Sequence, residues 1–318
     1  MSSERYLHDH PEFPDLIRAV AAERNIDPYL AEKDYWIMHC LYGLKQAGYD
    51  FQLKGGTSLS KGFGIIHRFS EDIDIHIAPP ASLKVRTSAN HNKEKDRQSR
   101  KEFYDHLARE IKIPGIVKVE RDTTFDSPPK YFSGGIRLYY EPAFPSDGTA
   151  KDGVLLEAGF DDVIPNHPID IGSWALGFAL DKGVDVIDNK ALQIPCYDSG
   201  YTLVEKLQTI ATKFRNQKEG KEFPANFLRH YYDVFCLLQN AQVQKFIGSE
   251  AYEKHKAKRF PKADQKFPLR ENEAFLLRDP ENRALYTKEF ERRPGLYYQG
   301  QPSFEEILAV IQENLDRL

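Results

Sequence analysis

The run Arg68-Phe69-Ser70-Glu71-Asp72-Ile73-Asp74-Ile75-His76-Ile77 carries the decisive pattern of this 318-residue chain. From Asp72 onward polar and apolar residues alternate with period two. That spacing predicts a half-buried strand whose isoleucines, Ile73, Ile75 and Ile77, enter a core. Asp72 and Asp74 then project together from the opposite face. Two carboxylates this close repel unless a cation lies between them. Hard oxygen ligands with room for waters and substrate phosphates suit Mg2+, or Mn2+ in its place. His76 shares that face as a neighbour of the site, not as a ligand. The competing reading is a solvated strand face on which the acids are incidental.

Just upstream, Phe51-Gln52-Leu53-Lys54 reads as a short strand ending at Gly55-Gly56-Thr57. Glycines at a strand end let backbone N–H groups approach a phosphate, and a following helix N-terminus favours the anion. Thr57 adds a hydroxyl. Ser58 to Ile66 is the predicted short helix. Alone, Gly-Gly-Thr is a turn; facing Asp72 and Asp74 it becomes a phosphate cradle opposite a metal pair.

Further out, Asp27 and Pro28 cap and open a helix over about 28–45, with Leu30, Ile37, Leu41 and Leu44 at helical spacing. A charged amphipathic stretch predicts a helix over about 92–113. Strands are predicted at 135–140 and 153–158, paired as a hairpin across a polar turn containing Pro145, Asp147 and Gly148. After about residue 198 the pattern turns helical. Thr202-Leu203-Val204-Glu205 reads as a capping box opening a helix to Lys218, with Glu205 a capping residue and no part of the chemistry. Another helix is predicted over 226–238, and Ser303-Phe304-Glu305-Glu306 caps a last one running to the C-terminus. The architecture is a sheet domain followed by a helical domain.

Composition narrows the class. Hydrophobic residues make up 41% and aromatics 12%, enough for a substantial core, which excludes a disordered or collagen-like chain. No apolar run approaches the ~18 residues of a membrane span, and the N-terminus lacks the apolar stretch of a secretory signal. Cys40, Cys196 and Cys236 are far apart and form no CxxC pair, so a cytoplasmic location is expected and a cysteine zinc site is not. A net charge of −4 means the protein as a whole does not attract polyanions. Basic residues nevertheless cluster at 206–221 and 245–270, either as solvated helix faces or as a groove for a nucleic-acid backbone. Gly62-Phe63-Gly64-Ile65-Ile66-His67 lacks the third glycine of a dinucleotide fingerprint. There is no P-loop, HExxH or GxSxG, and the ten histidines form no ligand-spaced cluster.

Lys54-Gly55-Gly56-Thr57-Ser58-Leu59 followed by Arg68 to Asp74 resembles the first motif of AbiEii/AbiGii-type nucleotidyltransferase toxins, within the DNA polymerase β-like nucleotidyltransferase superfamily. Glu32-Lys33-Asp34-Tyr35 is similar to that family's early Glu-Lys-Asp segment, and Leu155-Leu156-Glu157 to its second motif. Lys206 with Lys213 is similar to the third, and Arg229-His230-Tyr231-Tyr232-Asp233 to the fourth. In the fourth, His230 and two tyrosines replace the basic-acidic pair the family often carries before the final Asp.

The resemblance implies an α+β fold: a nucleotidyltransferase-fold mixed sheet flanked by helices, then a mainly helical C-terminal domain. The domains implied are 1–198, with an N-terminal helical segment, and 199–318, completing the active-site cleft. It implies transfer of NMP from an NTP to an acceptor hydroxyl, first of all the tRNA 3′ end, by the toxin of a type IV toxin–antitoxin or phage-defence system. The antitoxin would be a transcriptional regulator encoded alongside. Asp72, Asp74 and Glu157 would hold the metal ions, Mg2+ or Mn2+, with Glu157 helping to deprotonate the acceptor. Gly55, Gly56 and Thr57, with Arg68 and Ser70 of the same motif, would hold the nucleotide. Lys206, and Lys213 beside it, would neutralise the departing pyrophosphate, while Arg229 and Asp233 would position the nucleotide or orient the lysine.

Other readings stay open on sequence alone. Glu157 could be a lone acid, Lys206 and Lys213 surface lysines, and Arg229 with Asp233 an intrahelical ion pair. The aromatics from Phe214 to Phe235 fill a helical core or, alternatively, stack bases. The same metal chemistry could nucleotidylate or phosphorylate a protein, or the fold could be a non-catalytic nucleotide- or RNA-binding module.

Overall fold

The structure is a computed structural model and describes residues 5–88, 90–145, 152–221, 223, 226–292 and 294–318. The chain forms two compact units, Met1–Gly62 with Phe69–Tyr197, and Phe63–Arg68 with Asp198–Leu318.

The first unit begins with α1 (Phe13–Arg24) and α2 (Pro28–Gln46), then β1 (Phe51–Lys54) and the single turn α3 (Gly55–Thr57), which runs into a π-helical turn over Ser58–Gly62. There follow β2 (Asp72–Ile77), α4 (Glu94–Glu110), β3 (Ile116–Asp122), β4 (Ser133–Tyr140), β5 (Val154–Gly159), β6 (Asn166–Ile171), α5 (Trp174–Asp181) and β7 (Ala191–Tyr197). The strands form one mixed sheet in the order β3-β4-β5-β2-β1-β7-β6. β2 runs parallel to β5 and β1 parallel to β7; the other pairings are antiparallel.

Local chemistry explains the two elements that position the site. The Asp27 carboxylate accepts from Tyr29 N at 2.8 Å, and Pro28 occupies the first turn of α2, where its missing N–H costs nothing. From Tyr29 to Leu44 every residue except Tyr42 is buried, so α2 is a core helix with no solvent face to speak of. In β2 the alternation is realised: Ile73, Ile75 and Ile77 are fully buried, and Asp72, Asp74 and His76 are half-exposed on the other face.

β4 and β5 pair antiparallel, with Ile136 opposite Leu156; Asp147 and Gly148 of the expected turn lie outside the described residues. Three expectations need correction. The helix expected over 58–66 ends at Gly62, and Gly64 takes φ +63°, a conformation no helix continues through. In the first unit five elements, α1, β3, β6, α5 and β7, were not foreseen. In β6 and β7 the cause is visible: Pro168 sits opposite Pro195, and each removes a ladder donor from an otherwise strand-like run.

The third correction concerns the second unit, built of α6 (Ser199–Lys218), α7 (Arg229–Leu238), α8 (Ala241–Phe246), α9 (Glu250–Arg259), α10 (Glu273–Leu276), α11 (Pro280–Phe290) and α12 (Phe304–Asn314). Helix α6 starts three residues before Thr202. Asp198 is its cap, accepting from Gly200 N at 2.8 Å and Tyr201 N at 3.3 Å, because an Asp just outside the first turn satisfies donors that Thr202 is already too far inside to reach. The Thr202 hydroxyl instead donates back to Asp198 O, and Glu205 lies 3.5 Å from Arg259. The box at Ser303 and Glu306 does cap α12, which ends at Asn314.

The core of this unit is aromatic: Phe214, Phe227, Tyr231, Tyr286 and Phe304 are buried and pack largely edge to face. Residues 63–68 join it through a bridge between Arg68 and Tyr297 and a Tyr298 N bond to His67 O at 3.1 Å. Much of the basic character is spent internally, with Arg215 on Asp264 at 2.6 Å and Lys218 on Asp279 at 3.6 Å.

Candidate active site

Sheet register assembles one group of candidate residues. Asp74 pairs with Glu157 across the parallel β2–β5 ladder and with Lys54 across β1–β2, so one row crosses three strands on one face. Neighbouring strands lie about 4.8 Å apart, which brings the two carboxylates alongside each other. Asp72, two residues back on β2, shares the face. Beyond Glu157 the row continues to Gly135, which adds no side chain. Lys54 turns to Asp161, at 3.3 Å.

The Gly-Gly-Thr turn is fitted against these acids. Gly55 takes φ +73°, and a β-carbon there would run into the Asp74 carboxylate. The Thr57 hydroxyl, buried, donates to Asp72 O at 2.6 Å, tying the turn to the acidic strand. Ser58 donates to Gly55 O at 3.1 Å. Ser70 is half-exposed immediately before the strand. The donor set is all hard oxygen, and Gly55 keeps space beside one of its members, so the residues fit a magnesium-type ion. Among the described residues no three carboxylate, imidazole or thiolate side chains are drawn together into a closed metal cluster. The three acids are aligned on one face without converging.

Three consecutive charges in α2 each hold a different segment of the chain, Lys33 the one next to this face. Glu32, Lys33 and Asp34 are all buried and, at 100° steps round the helix, point to three different segments. Glu32 accepts from Ala143 N and Phe144 N, each at 2.9 Å. Lys33 Nζ lies 3.9 Å from Glu71, beside Asp72; burial lowers its pKa, and the charges of Glu71 and Asp72 work against that shift. Asp34 accepts from Trp174 N at 2.8 Å and from Lys61 Nζ at 2.9 Å, at the end of the π-helical turn. Lys61 also lies over the Trp174 ring, 4.3 Å from its centroid. Beyond the resemblance of the Glu-Lys-Asp segment, sequence reasoning gave Asp34 and Lys61 no place. The available signal was three charges in a row inside an apolar helix.

The second group lies in the helical unit. Arg68 makes a two-pronged bond to Asp233, Nε to Oδ1 at 2.6 Å and Nη2 to Oδ2 at 2.8 Å, and Lys206 Nζ reaches Oδ2 at 3.0 Å. Burial works to raise the Asp233 pKa, but Arg68 and then Lys206 outweigh it and hold the carboxyl well below the usual carboxylate range. Asp233 therefore pairs with Arg68 and Lys206, where an i,i+4 bond to Arg229 was one expectation. Arg229 is half-buried at the start of α7. His230 lies between Lys206, 3.5 Å from Nδ1, and Lys213, 3.5 Å from Nε2. Burial first, then the charges of Lys206, Lys213 and Arg229, push its pKa far down, so the imidazole is neutral. A neutral imidazole has one lone pair to offer, so it cannot accept a proton from both ammonium groups at once.

The family described as nucleotidyl transferase AbiEii toxin, type IV TA system, matches residues 39–310. The chain belongs to this family. A search of curated proteins gives no match. AbiEii membership makes the protein a nucleotidyltransferase toxin of a toxin–antitoxin system, with a nucleotide substrate and an antitoxin partner. The matched span includes every candidate site residue on β2, β5, α6 and α7; Glu32, Lys33 and Asp34 precede it.

Proposed function

We propose that this AbiEii protein transfers NMP from an NTP to an acceptor hydroxyl, and that the acceptor is the 3′ end of tRNA in a phage-defence setting. The observation that carries the reading is the row of acids: Asp74 beside Glu157, with Asp72 two residues away on the same face, next to a glycine turn that leaves them room. Asp72, Asp74 and Glu157 would hold Mg2+ or Mn2+, which supplies charge neutralisation at the attacking and leaving oxygens.

The acceptor oxygen forms its bond to the α-phosphorus as the bond to the bridging oxygen breaks, and pyrophosphate leaves with that electron pair. Glu157 takes the acceptor's proton. The Gly55 and Gly56 backbone holds phosphate oxygens, with Arg68 and Ser70 as further nucleotide-binding candidates. Thr57 acts through its bond to Asp72 O, fixing the turn against the strand. Lys206 and Lys213 serve as polyphosphate cations, oriented by Asp233 and His230; Arg229 is assigned to the nucleotide.

Incubation of the protein with each α-labelled NTP, Mg2+ and total tRNA tests the proposal. The wild type should label tRNA, and Asp72→Ala should reduce labelling at least about 1,000-fold with the fold retained, checked by circular dichroism. Label on protein alone would move the acceptor to a protein hydroxyl. Near-normal turnover by Asp72→Ala would sink the carboxylate assignment.

A further inference from the structure

We infer that a polar cleft in the helical unit is a binding subsite for one unpaired nucleobase of the RNA acceptor. The inference rests on the RNA-acceptor reading above and extends it to residues with no assigned role. The cleft has a volume of about 720 Å³, within the range of small-ligand sites, and is an open one lined by residues from 63–67, from 232–240 and from 299–306.

Its lining has a definite chemistry. Phe63 and Phe235 supply half-exposed ring surface. Four side-chain amides surround them, and the protein's own bonds fix what three of these present. Asn240 uses its oxygen to cap α8, accepting from Gln242 N and Val243 N, which leaves its NH2 as donor. Gln301 spends its NH2 on Phe290 O at 2.8 Å and Gln239 on Phe235 O at 3.2 Å, so each offers an oxygen. Gln299 is exposed, with no side-chain hydrogen bond to the described residues. Oriented donors and acceptors around aromatic surface match the edge and face of a base.

Among the described residues lining the cleft there is no lysine or arginine, and Glu306 adds an acid. A phosphate finds no cation among these residues, whereas a neutral planar heterocycle finds both ring surface and amides. The cleft and the cation cluster also use the same two backbone segments one residue apart. His67 and Tyr232 line the cleft, and the next residues, Arg68 and Asp233, join the ion pair with Lys206. Along α7, Tyr232, Phe235, Cys236 and Gln239 recur at helical spacing and form the cleft face, while Asp233 and His230 lie round the helix from them. Burial pushes the Cys236 thiol up to about 11, so it acts as an uncharged wall residue.

The test is binding of a fluorescent single-stranded RNA with the tRNA 3′-terminal sequence to the full chain, across a salt series. The double variant Gln239→Ala with Gln299→Ala removes two exposed side chains and should keep the fold. It should weaken binding about tenfold with the salt slope unchanged, because no phosphate contact is lost. RNA made abasic at each of its last three positions in turn should weaken wild-type binding similarly at one position, and at that position the variant should lose little more. Unchanged affinity in the variant, a salt slope reduced by about one, or additive losses with every abasic RNA would overturn the subsite while leaving the RNA acceptor standing. Failure of the wild type to bind this RNA or to label tRNA would remove the acceptor reading and the subsite together.

Discussion

Asp233 neutralises two cations at once, and its value lies in what happens without it. Asp233→Ala takes from buried Arg68 the carboxylate it grips with two bonds, and leaves Lys206 facing a neutral imidazole. Breaking a buried pair on one side costs about 3–5 kcal/mol, and urea denaturation should show a loss of that size. A loss under about 1 kcal/mol would mean that Arg68 has another adequate partner. Gly55 is a second sensitive position, for steric reasons. Gly55→Ala combines a strained positive φ, worth about 1 kcal/mol, with a collision at Asp74. Transfer activity should therefore fall far more than Tm, by about 100-fold or more, since small misplacements of a reacting geometry are costly. Activity falling only in proportion to stability would detach Asp74 from the chemistry.

At the scale of elements, α2 and β2 contrast. β2 was legible because alternation is a local property: three isoleucines in a period-two run leave one arrangement that buries them all. The helix limits of α2 were equally legible, through Asp27, Pro28 and the leucine spacing. Its burial on nearly every side was not, because Glu32, Lys33 and Asp34 are polar by type and become core residues only through partners far along the chain. Asp34 shows how much rests on those partners. Asp34→Ala strips the largely buried Lys61 side chain of its counter-charge and Trp174 N of its acceptor. The variant should be destabilised by about 3–5 kcal/mol, and restoring apolar balance with Lys61→Met should recover part of it. If Asp34→Ala with Lys61→Met is no more stable than Asp34→Ala alone, the ion pair is not the cause. The proline-bearing strands β6 and β7 were hidden for a different reason: pairing partners, not propensity, make them strands.

Across the whole molecule, buried histidines set the acid limit of stability. His39 accepts from Asn189 at 2.7 Å on Nδ1 and donates to Pro114 O at 2.9 Å from Nε2, which satisfies the neutral ring. Burial lowers its pKa from 6.5 to about 4. With the folded value below the unfolded one, its contribution is complete above pH 6.5 and is lost as pH falls toward 4, about 3 kcal/mol in all. His230 acts in the same direction, and depressed Asp233 extends the loss below the ordinary carboxylate range. Glu32, which burial raises above 4.5, works in the opposite sense as pH climbs past that value. Denaturation midpoints at pH 7.5, 5.5 and 4.5 should fall steadily, and His39→Gln should flatten part of the slope; a profile level down to pH 4.5 would contradict the buried neutral rings.

The sequence by itself determined the acidic strand, the glycine turn, the sheet-then-helix order and membership of the AbiEii family. These follow from local rules: alternation, capping and the backbone freedom of glycine. Only the tertiary structure decided that Glu157 stands beside Asp74, that Asp233 answers Arg68 and Lys206 instead of Arg229, and that α6 opens at Asp198. Only it showed where Asn240 and Gln301 aim their amides. Register and charge pairing join residues tens to hundreds of positions apart, and no periodicity within a single segment encodes which of many possible partners burial will select.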